Sequence, residues 1–128
     1  MIFIDTSALY ALADRDDPHH GAARVRLQSL LEAGEGLLTH NYVLVESMAL
    51  LQSRLGRDAA LRLAHDSRAV DVEWIDPAAH QEAVRALARQ RRRVSLVDQV
   101  SFVVMRRRGV EVAFAFDPDF EREGFRLA

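Results

Sequence analysis

The chain has 128 residues, of which 49% are hydrophobic and 28% charged, and its formal net charge at pH 7 is −2. This composition is typical of a globular protein, and we expect a single domain over residues 1–128. The chain has no cysteine and all 17 basic residues are arginine, which excludes disulfides, thiolate metal ligands, and the Walker phosphate loops and Schiff-base enzymes that need lysine.

The sequence has no pattern of a targeting or membrane-spanning segment. Asp5 interrupts the apolar start, so no signal peptide is predicted. No apolar run approaches the roughly 18 residues needed to cross a bilayer. We therefore expect a cytoplasmic protein that does not associate with membranes.

The first segment predicts a buried strand that ends in a carboxylate. Ile2-Phe3-Ile4 is apolar throughout, as central parallel strands are. Asp5, Thr6 and Ser7 follow, and ligands of open parallel sheets bind beyond the carboxyl ends of the strands. A phosphatase of the haloacid dehalogenase type also begins this way, but it has a second Asp two positions after the first, where this chain has Ser7. Asp5 is therefore predicted to stand at the mouth of another kind of site.

The remaining chain alternates between helical and strand patterns. Helices are predicted over residues 6–13, 19–33, 41–55, 57–69, 77–92 and 96–107, and strands over 36–39, 70–75, 110–116 and 125–127. Asn41 is the predicted N-cap of the third helix. The alternation predicts a parallel sheet with helices on both faces. Segments 2–4 and 110–116 are the most apolar, so we expect them to be adjacent central strands, with Trp74 and the Phe114/Phe116 pair in the core.

Three further carboxylates lie at unusual positions. Glu46 has mostly apolar neighbours one turn away and no arginine three or four residues away, Asp98 lies in a predicted first helical turn, and Asp117 follows the apolar strand 110–116. Each has an ordinary structural explanation. Glu46 could lie at the rim of a buried face, Asp98 could interact with the helix dipole, and Asp117 with Pro118 could begin a helix.

A shared location would give these carboxylates a chemical role. Four of them at one sheet edge would repel each other by roughly 4 kcal/mol per close pair, and such a cluster takes up protons or binds cations. Oxygen ligands without thiolates favour Mg²⁺ or Mn²⁺. One or two such ions would suit phosphate-ester hydrolysis by a metal-activated water.

Segments along the whole length resemble one protein family. The segments are Ile4-Asp5-Thr6-Ser7-Ala8-Leu9, residues 39–46, residues 95–102, Ala115-Phe116-Asp117-Pro118-Asp119-Phe120 and Gly124-Phe125. Their ordered set is similar to the PIN domains, specifically the VapC-type toxin ribonucleases of toxin–antitoxin pairs. The resemblance implies a three-layer α/β/α sandwich with a central, mostly parallel sheet.

The resemblance also implies the site residues. Asp5, Glu46, Asp98 and Asp117 fall on an acidic quartet that holds Mg²⁺ or Mn²⁺, with Glu46 binding directly or through water. Thr6 or Ser7 could support the first acid. The family often has Thr two positions before the fourth acid, where this chain has Ala115. Asp119 could also share the role of the fourth acid.

The implied activity is metal-dependent endonucleolytic cleavage of RNA, with the protein as the toxin of a type II pair. Its expected partners are RNA, a VapB-like antitoxin and a second copy of the chain, in a heterotetramer or larger complex. Two alternatives remain open from the sequence: a catalytically silent PIN-like interaction module, and a nuclease that cleaves DNA.

Two arginine triplets flank the helix that carries Asp98. Arg91, Arg92 and Arg93 precede it, and a second triplet, beginning at Arg106, ends it. Both could contact RNA phosphates, although solvated helix ends explain them as well. The adjacent His19-His20 pair superficially suggests a metal site, but neighbouring side chains on a helix diverge, so polar residues at a helix start explain the pair better.

Overall fold

The computed structural model describes all 128 residues, which form a five-stranded parallel sheet and seven α-helices. In chain order the elements are β1 (Ile2–Ile4), α1 (Thr6–Ala13), α2 (His20–Glu32), β2 (Leu37–His40), α3 (Asn41–Leu55), α4 (Arg57–Asp66) with a 3-10 turn at Ser67–Ala69, β3 (Asp71–Glu73), α5 (Pro77–Arg89), α6 (Leu96–Arg108), β4 (Val112–Phe114), α7 (Asp119–Arg122) and β5 (Arg126–Leu127). The predicted alternation of strands and helices is confirmed.

The strand order is β3-β2-β1-β4-β5, and every neighbouring pair is parallel. The strands β1 and β4 are adjacent at the centre, with Ile4 opposite Phe114, as their apolar sequences predict. The strand β3 lies at one edge of the sheet and β5 at the other. The helices α1 to α4 pack against one another and α5 packs against α6, which forms the α/β/α sandwich.

Several predicted bounds were too long. The strand predicted over 110–116 contains only Val112–Phe114, the strand predicted over 70–75 contains only Asp71–Glu73, and the helix predicted to reach residue 92 ends at Arg89. Beyond β4, the apolar residues Val110, Ala115 and Phe116 pack into or against the core without pairing in the sheet, whereas Trp74 beyond β3 is exposed. Hydrophobicity alone therefore overestimates strand length.

The predicted cap of α3 was wrong by one residue. His40 is the N-cap, and its Nδ1 accepts a hydrogen bond from the Val43 N–H at 3.3 Å. The Asn41 Oδ1 instead accepts from the Ile75 N–H at 2.7 Å, which ties the start of α3 to the chain after β3. A histidine can take the capping role because a neutral imidazole nitrogen is a hydrogen-bond acceptor.

His40 also connects α3 to α6 inside the core. Its imidazole is fully buried, and its Nε2 lies 2.8 Å from the Ser101 Oγ. Because Nδ1 accepts from Val43, Nε2 carries the proton and donates to Ser101, whose hydroxyl donates to the Val97 carbonyl at 3.0 Å. Burial lowers the pKa of His40 to about 3, so the residue is neutral at physiological pH.

The prediction that Trp74 belongs to the core was wrong. Its side chain is 75% exposed, whereas Phe114 is buried and Phe116 is partly buried. The prediction failed because Trp74 follows the edge strand β3, where no element covers it. No helix in the chain is long and apolar enough to span a membrane.

The buried His40 predicts a specific pH dependence of stability. As the pH falls from 6.5 to 5, the unfolded chain protonates at this residue but the folded chain does not, so the free energy of unfolding falls by about 2 kcal/mol from this group. Asparagine can retain the cap but does not ionise. We expect wild type to lose about 2 kcal/mol relative to His40→Asn over this range, measured by urea denaturation.

A matched control is His65→Asn, because His65 is exposed on α4. Its stability should follow the wild-type pH curve. Parallel curves for wild type and His40→Asn would contradict the assignment of a buried neutral imidazole.

Candidate active site and metal centre

The carboxyl ends of β1 and β4 bring Asp5 and Asp117 to the same edge of the sheet. Asp5 directly follows β1, and its N–H donates to the carbonyl of Phe114, the last residue of β4, at 3.1 Å. Asp117 lies three residues beyond that point. Parallel neighbouring strands end on the same side, so this part of the site follows from the sheet order.

Asp5 is held by hydrogen bonds on one oxygen only. Its Oδ2 accepts from the Ser7 N–H at 3.1 Å and from the Ser7 Oγ at 2.7 Å, and so caps α1. Its Oδ1 is buried without a partner, and the residue is only 3% exposed. Burial raises the pKa of Asp5 despite the bonds from Ser7, and the nearby charge of Asp117 raises it further.

Asp98 lies in the first turn of α6, where the negative charges of the other three acids act on it. Its pKa is raised to about 8, chiefly by burial. The further causes are the charges of Asp5 and Asp117, a hydrogen bond with Asp117 and the charge of Glu46. A first-turn Asp that only stabilised the helix dipole would be exposed and ionised. The charges of the other three carboxylates that the sequence singled out therefore act on Asp98, and we call these four residues the carboxylate cluster. The oxygens that lie within 4.8 Å of one another belong to Asp98, Asp117 and Asp119.

Glu46 reaches this cluster from α3. The start of α3 follows β2, the strand on the other side of β1 from β4, so the helix begins at the edge where Asp5 lies. Glu46 is partly buried. Its charge acts on Asp98 across the gap between α3 and α6, which the buried His40–Ser101 hydrogen bond spans.

Asp117 and Asp119 differ in their surroundings. One oxygen from each of Asp98, Asp117 and Asp119 lies within 4.8 Å of the others, a spacing that could hold a metal ion. The Asp119 Oδ1 is contacted by the Arg122 Nη1 at 3.1 Å and the Arg92 Nη1 at 3.7 Å. Asp117 accepts from the Asp119 N–H at 2.9 Å and faces Asp98. The charge of Asp119 is thus largely compensated by arginines.

The two hydroxyl residues after Asp5 have different roles. The Ser7 Oγ donates to Asp5 and accepts from the Phe116 N–H at 2.9 Å, so Ser7 links the end of β1 to the chain beyond β4. The Thr6 Oγ1 is buried without a partner. Ser7 is the hydroxyl that orients the first acid.

The two arginine triplets lie at different distances from the acids. Arg91, Arg92 and Arg93 are exposed in the connection between α5 and α6, beside the first turn that carries Asp98. Arg92 also pairs with Glu123 at 3.3 Å.

Arg106 lies eight residues further along α6, about 12 Å along the helix axis from Asp98. Its guanidinium pairs with Glu123 at 2.7 Å and lies over the Phe125 ring. Arg107 and Arg108 pair with acids of α5 and β3. The second triplet therefore has evident structural roles, while RNA contact by Arg106 stays a prediction.

Sequence reasoning missed two histidines near the site. His40 was not identified because a buried capping imidazole has no sequence signature beyond a polar residue at a strand end. His19 was assigned to a helix start, and it does precede α2, but its ring also stacks on Phe116 with the ring centroids 4.4 Å apart. That contact joins segments almost 100 residues apart, so no local pattern could indicate it.

The donor set fits a hard divalent cation. It contains only carboxylate oxygens, one of which, the Asp5 Oδ1, is buried with no hydrogen bond to offset its lost hydration. The pKa of Asp98, raised to about 8 by burial and then by its acidic neighbours, marks an excess of negative charge that protons or cations must relieve. Oxygen ligands of this kind suit Mg²⁺ or Mn²⁺.

The raised pKa of Asp98 predicts that Asp98→Asn stabilises the metal-free protein more at pH 8 than at pH 5. The folded state keeps the Asp98 proton to about pH 8, whereas the unfolded chain releases it near 3.8. Stability present at acid pH is therefore lost as the pH rises through the folded value, and asparagine avoids that loss. Thermal denaturation in a chelator at the two pH values measures the difference in Tm.

The exposed Asp66 on α4 offers a control. Asp66→Asn should change the Tm by the same small amount at pH 5 and pH 8. An Asp98→Asn variant whose gain in Tm is equal at both values would contradict the clustered arrangement.

Comparison with known proteins finds similarity to one family. Residues 2–125 match the family model of the PIN domain. The 23S rRNA-specific endonucleases VapC20 of Mycobacterium tuberculosis strains CDC 1551 / Oshkosh and ATCC 25618 / H37Rv are each 39% identical to the chain over 128 residues, with 98% of this chain and 95% of the relative covered.

A solved structure is also similar. The crystal structure of Mycobacterium tuberculosis VapC20, described as a sarcin-ricin loop cleaving toxin, superposes with a TM-score of 0.88 at 37% identity. The match covers 98% of this chain and 96% of that one. The family model, the similar sequences and the similar structure all match nearly the whole length of the chain. The chain therefore belongs to the PIN domain family, in its VapC-type branch.

Proposed function

We propose that the protein is a Mg²⁺- or Mn²⁺-dependent endoribonuclease that acts in the cytoplasm as the toxin of a type II toxin–antitoxin pair. The observation that carries this proposal is the acidic group at the sheet edge, where oxygens of Asp98, Asp117 and Asp119 lie within 4.8 Å of one another. The charges of Asp5, Asp117 and Glu46 add to burial in raising the pKa of Asp98. The relatives at 39% identity are named as endonucleases specific for 23S rRNA. Ribosomal RNA is therefore the first substrate to test.

In this proposal Asp5, Asp98 and Asp117 hold one or two ions, and Glu46 binds directly or through a water molecule. When bound, a divalent ion activates water and stabilises the leaving oxygen of a phosphodiester. The chain supplies the positioning. Ser7 fixes the Asp5 carboxyl group so that its unpartnered Oδ1 is free to bind.

The helix α6 supplies Asp98 from a fixed position. Ser95 caps the helix by accepting from the Asp98 N–H at 3.1 Å, and Ser101 joins the helix to His40 at its next turn. Both contacts restrain the backbone on either side of Asp98. The acid can therefore hold an ion without reorganisation, which favours catalysis by pre-arranged charge.

The charge balance permits RNA binding. Two divalent ions would change the formal net charge of −2 to about +2. The exposed Arg91 and Arg93 have no ion-pair partner in the chain, so they are free to contact phosphates beside the acids, whereas Arg92 already pairs with Asp119 and Glu123.

Two other functions remain distinguishable by experiment. A catalytically silent interaction module would not need all four acids, and here all four are present, with the charges of the other three acting on Asp98. A DNA-directed nuclease would use the same carboxylates, because the chemistry at the phosphate does not involve the 2′-hydroxyl in the proposed reaction. A panel of labelled RNA and single-stranded DNA separates these activities.

We also propose a VapB-like antitoxin and a homodimer as partners. Leu9 and Tyr10 of α1 are buried, so they offer no surface to a partner. The exposed apolar residues of α3 are instead Val45, at 65% exposure, and Leu55, at 46%. These side chains offer an apolar surface to a partner.

Asp5→Asn should reduce RNA cleavage in Mg²⁺ or Mn²⁺ by at least about 100-fold. The substitution replaces the buried charged oxygen with a neutral amide and removes a ligand from the centre of the cluster. Initial rates on labelled rRNA fragments measure the loss, and a thermal shift on adding Mn²⁺ should shrink in parallel.

Asp66→Asn serves as the matched control, because it removes an equal charge from the exposed surface of α4. It should cleave RNA at the wild-type rate. A folded Asp5→Asn variant that cuts as fast as wild type would place the active site elsewhere.

Asp117→Asn should impair cleavage more strongly than Asp119→Asn, by about 10-fold or more. Asp117 faces Asp98, whereas Arg122 and Arg92 compensate the charge of Asp119. The same rate assay with a Mn²⁺ titration measures both variants. The reverse order of activity would identify Asp119 as the fourth acid.

A further inference from the structure

The imidazole of His19 lies flat on the phenyl ring of Phe116. The ring centroids are 4.4 Å apart and the planes differ by 11°, which is a parallel stack. His19 as a residue is nevertheless exposed. One face of the imidazole is covered by Phe116, so the exposed surface is the opposite face and the ring edge.

The chain holds His19 in this position. Its N–H donates to the Asp17 Oδ1 at 2.8 Å, and its carbonyl accepts from the Ala23 N–H at 2.8 Å, where α2 begins. The next residue, His20, donates from its Nδ1 to the Ala11 carbonyl at 2.7 Å, which anchors the loop to α1. The backbone before and after the His19 ring is thus fixed.

The stack adjoins the carboxylate cluster. Phe116 directly precedes Asp117, and its N–H donates to the Ser7 Oγ, which in turn donates to Asp5. Two short hydrogen bonds therefore connect the backbone beneath His19 to the first acid. The stack therefore lies on the residue that directly precedes Asp117, on a segment that is hydrogen-bonded through Ser7 to Asp5.

We infer that the open face of His19 stacks on a nucleobase of the RNA, next to the phosphate that is cleaved. This inference rests on the proposed ribonuclease function and names a further binding residue for it. Single-stranded RNA is commonly bound by bases that stack on aromatic side chains, including histidine, and each such stack contributes about 1–3 kcal/mol. His19 presents a flat ring that is already backed by a second ring.

The surroundings favour a base over a phosphate or a metal. The loop before His19 contains Asp14, Asp16 and Asp17 against a single arginine, Arg15, so its net charge repels a phosphate group. The rings of His19 and His20 are committed to different contacts, on Phe116 and on the Ala11 carbonyl, and do not converge on an ion. A nucleobase that stacks on His19 needs neither a positively charged side chain nor a second side chain that points at the same atom.

The first experiment measures steady-state cleavage of an rRNA fragment in Mn²⁺. His19→Ala should raise KM by about 10-fold, which corresponds to about 1.4 kcal/mol, and leave kcat within about twofold, because the acids are untouched. His19→Tyr should restore the wild-type KM, since tyrosine retains an aromatic face. His19→Gln, which keeps a polar group but no ring, should behave like His19→Ala. His65→Ala, at an exposed histidine on α4, should match wild type.

The second experiment observes stacking directly, without turnover. RNA carrying 2-aminopurine beside the cleaved phosphate is bound to Asp98→Asn protein, with and without a second substitution at His19. Stacking should quench the 2-aminopurine fluorescence with His19 or Tyr at this position and leave it bright with Ala or Gln. An abasic nucleotide at the same position should remove the KM difference between wild type and His19→Ala.

The outcomes separate this inference from the proposed function. A wild-type protein that cuts RNA, together with a His19→Ala variant of unchanged KM and unchanged quenching, overturns the inference alone and leaves the His19 surface for a protein partner. Full rescue by His19→Gln also overturns it, because the contact would then be a hydrogen bond. A wild-type protein that cuts no RNA with any divalent ion refutes the proposed function itself.

Discussion

Repulsion among one buried and three half-buried carboxylates is the constraint on which the candidate site depends. Asp5 has one oxygen without a partner, and burial together with the charges of Asp5, Asp117 and Glu46 raises the pKa of Asp98 to about 8. A fold optimised only for stability would not gather such groups, because each would be more stable in water. Binding of a cation there would explain the loss of stability, because a ligand that binds only the folded state raises the free energy of unfolding.

The rest of the structure holds these acids together against their repulsion. Parallel pairing of β1 with β4 fixes the backbone at Asp5 relative to the segment that carries Asp117, and Ser7 bonds to both segments. The buried His40 fixes α3 to α6, so the helices of Glu46 and Asp98 cannot separate without leaving polar groups unpaired. The carboxylates therefore remain close because the surrounding backbone has little freedom to move.

The same sheet edge gathers groups of different chemistry. The acids occupy its centre, the exposed Arg91 and Arg93 lie beside α6, and His19 extends the edge on the side of Phe116. In our proposal this arrangement suits a nucleic-acid strand, which presents phosphates and bases alternately. The acids would act on one phosphate through a cation, the arginines would contact other phosphates, and the aromatic ring would contact a base. Such a division explains how a chain of net charge −2 can serve as a nuclease in our proposal.

The sequence by itself determined the order of elements and the central position of β1 and β4, because the apolar content of a strand is a local pattern. It also singled out four acids by their local surroundings. The family resemblance linked those acids to one site. Only the tertiary structure decided that Trp74 is exposed, that His40 rather than Asn41 caps α3, and that His19 lies on Phe116. It also shows that Arg122 and Arg92 contact Asp119. These features depend on contacts between distant segments, and burial and charge pairing at such contacts are set by packing, which a local pattern does not encode.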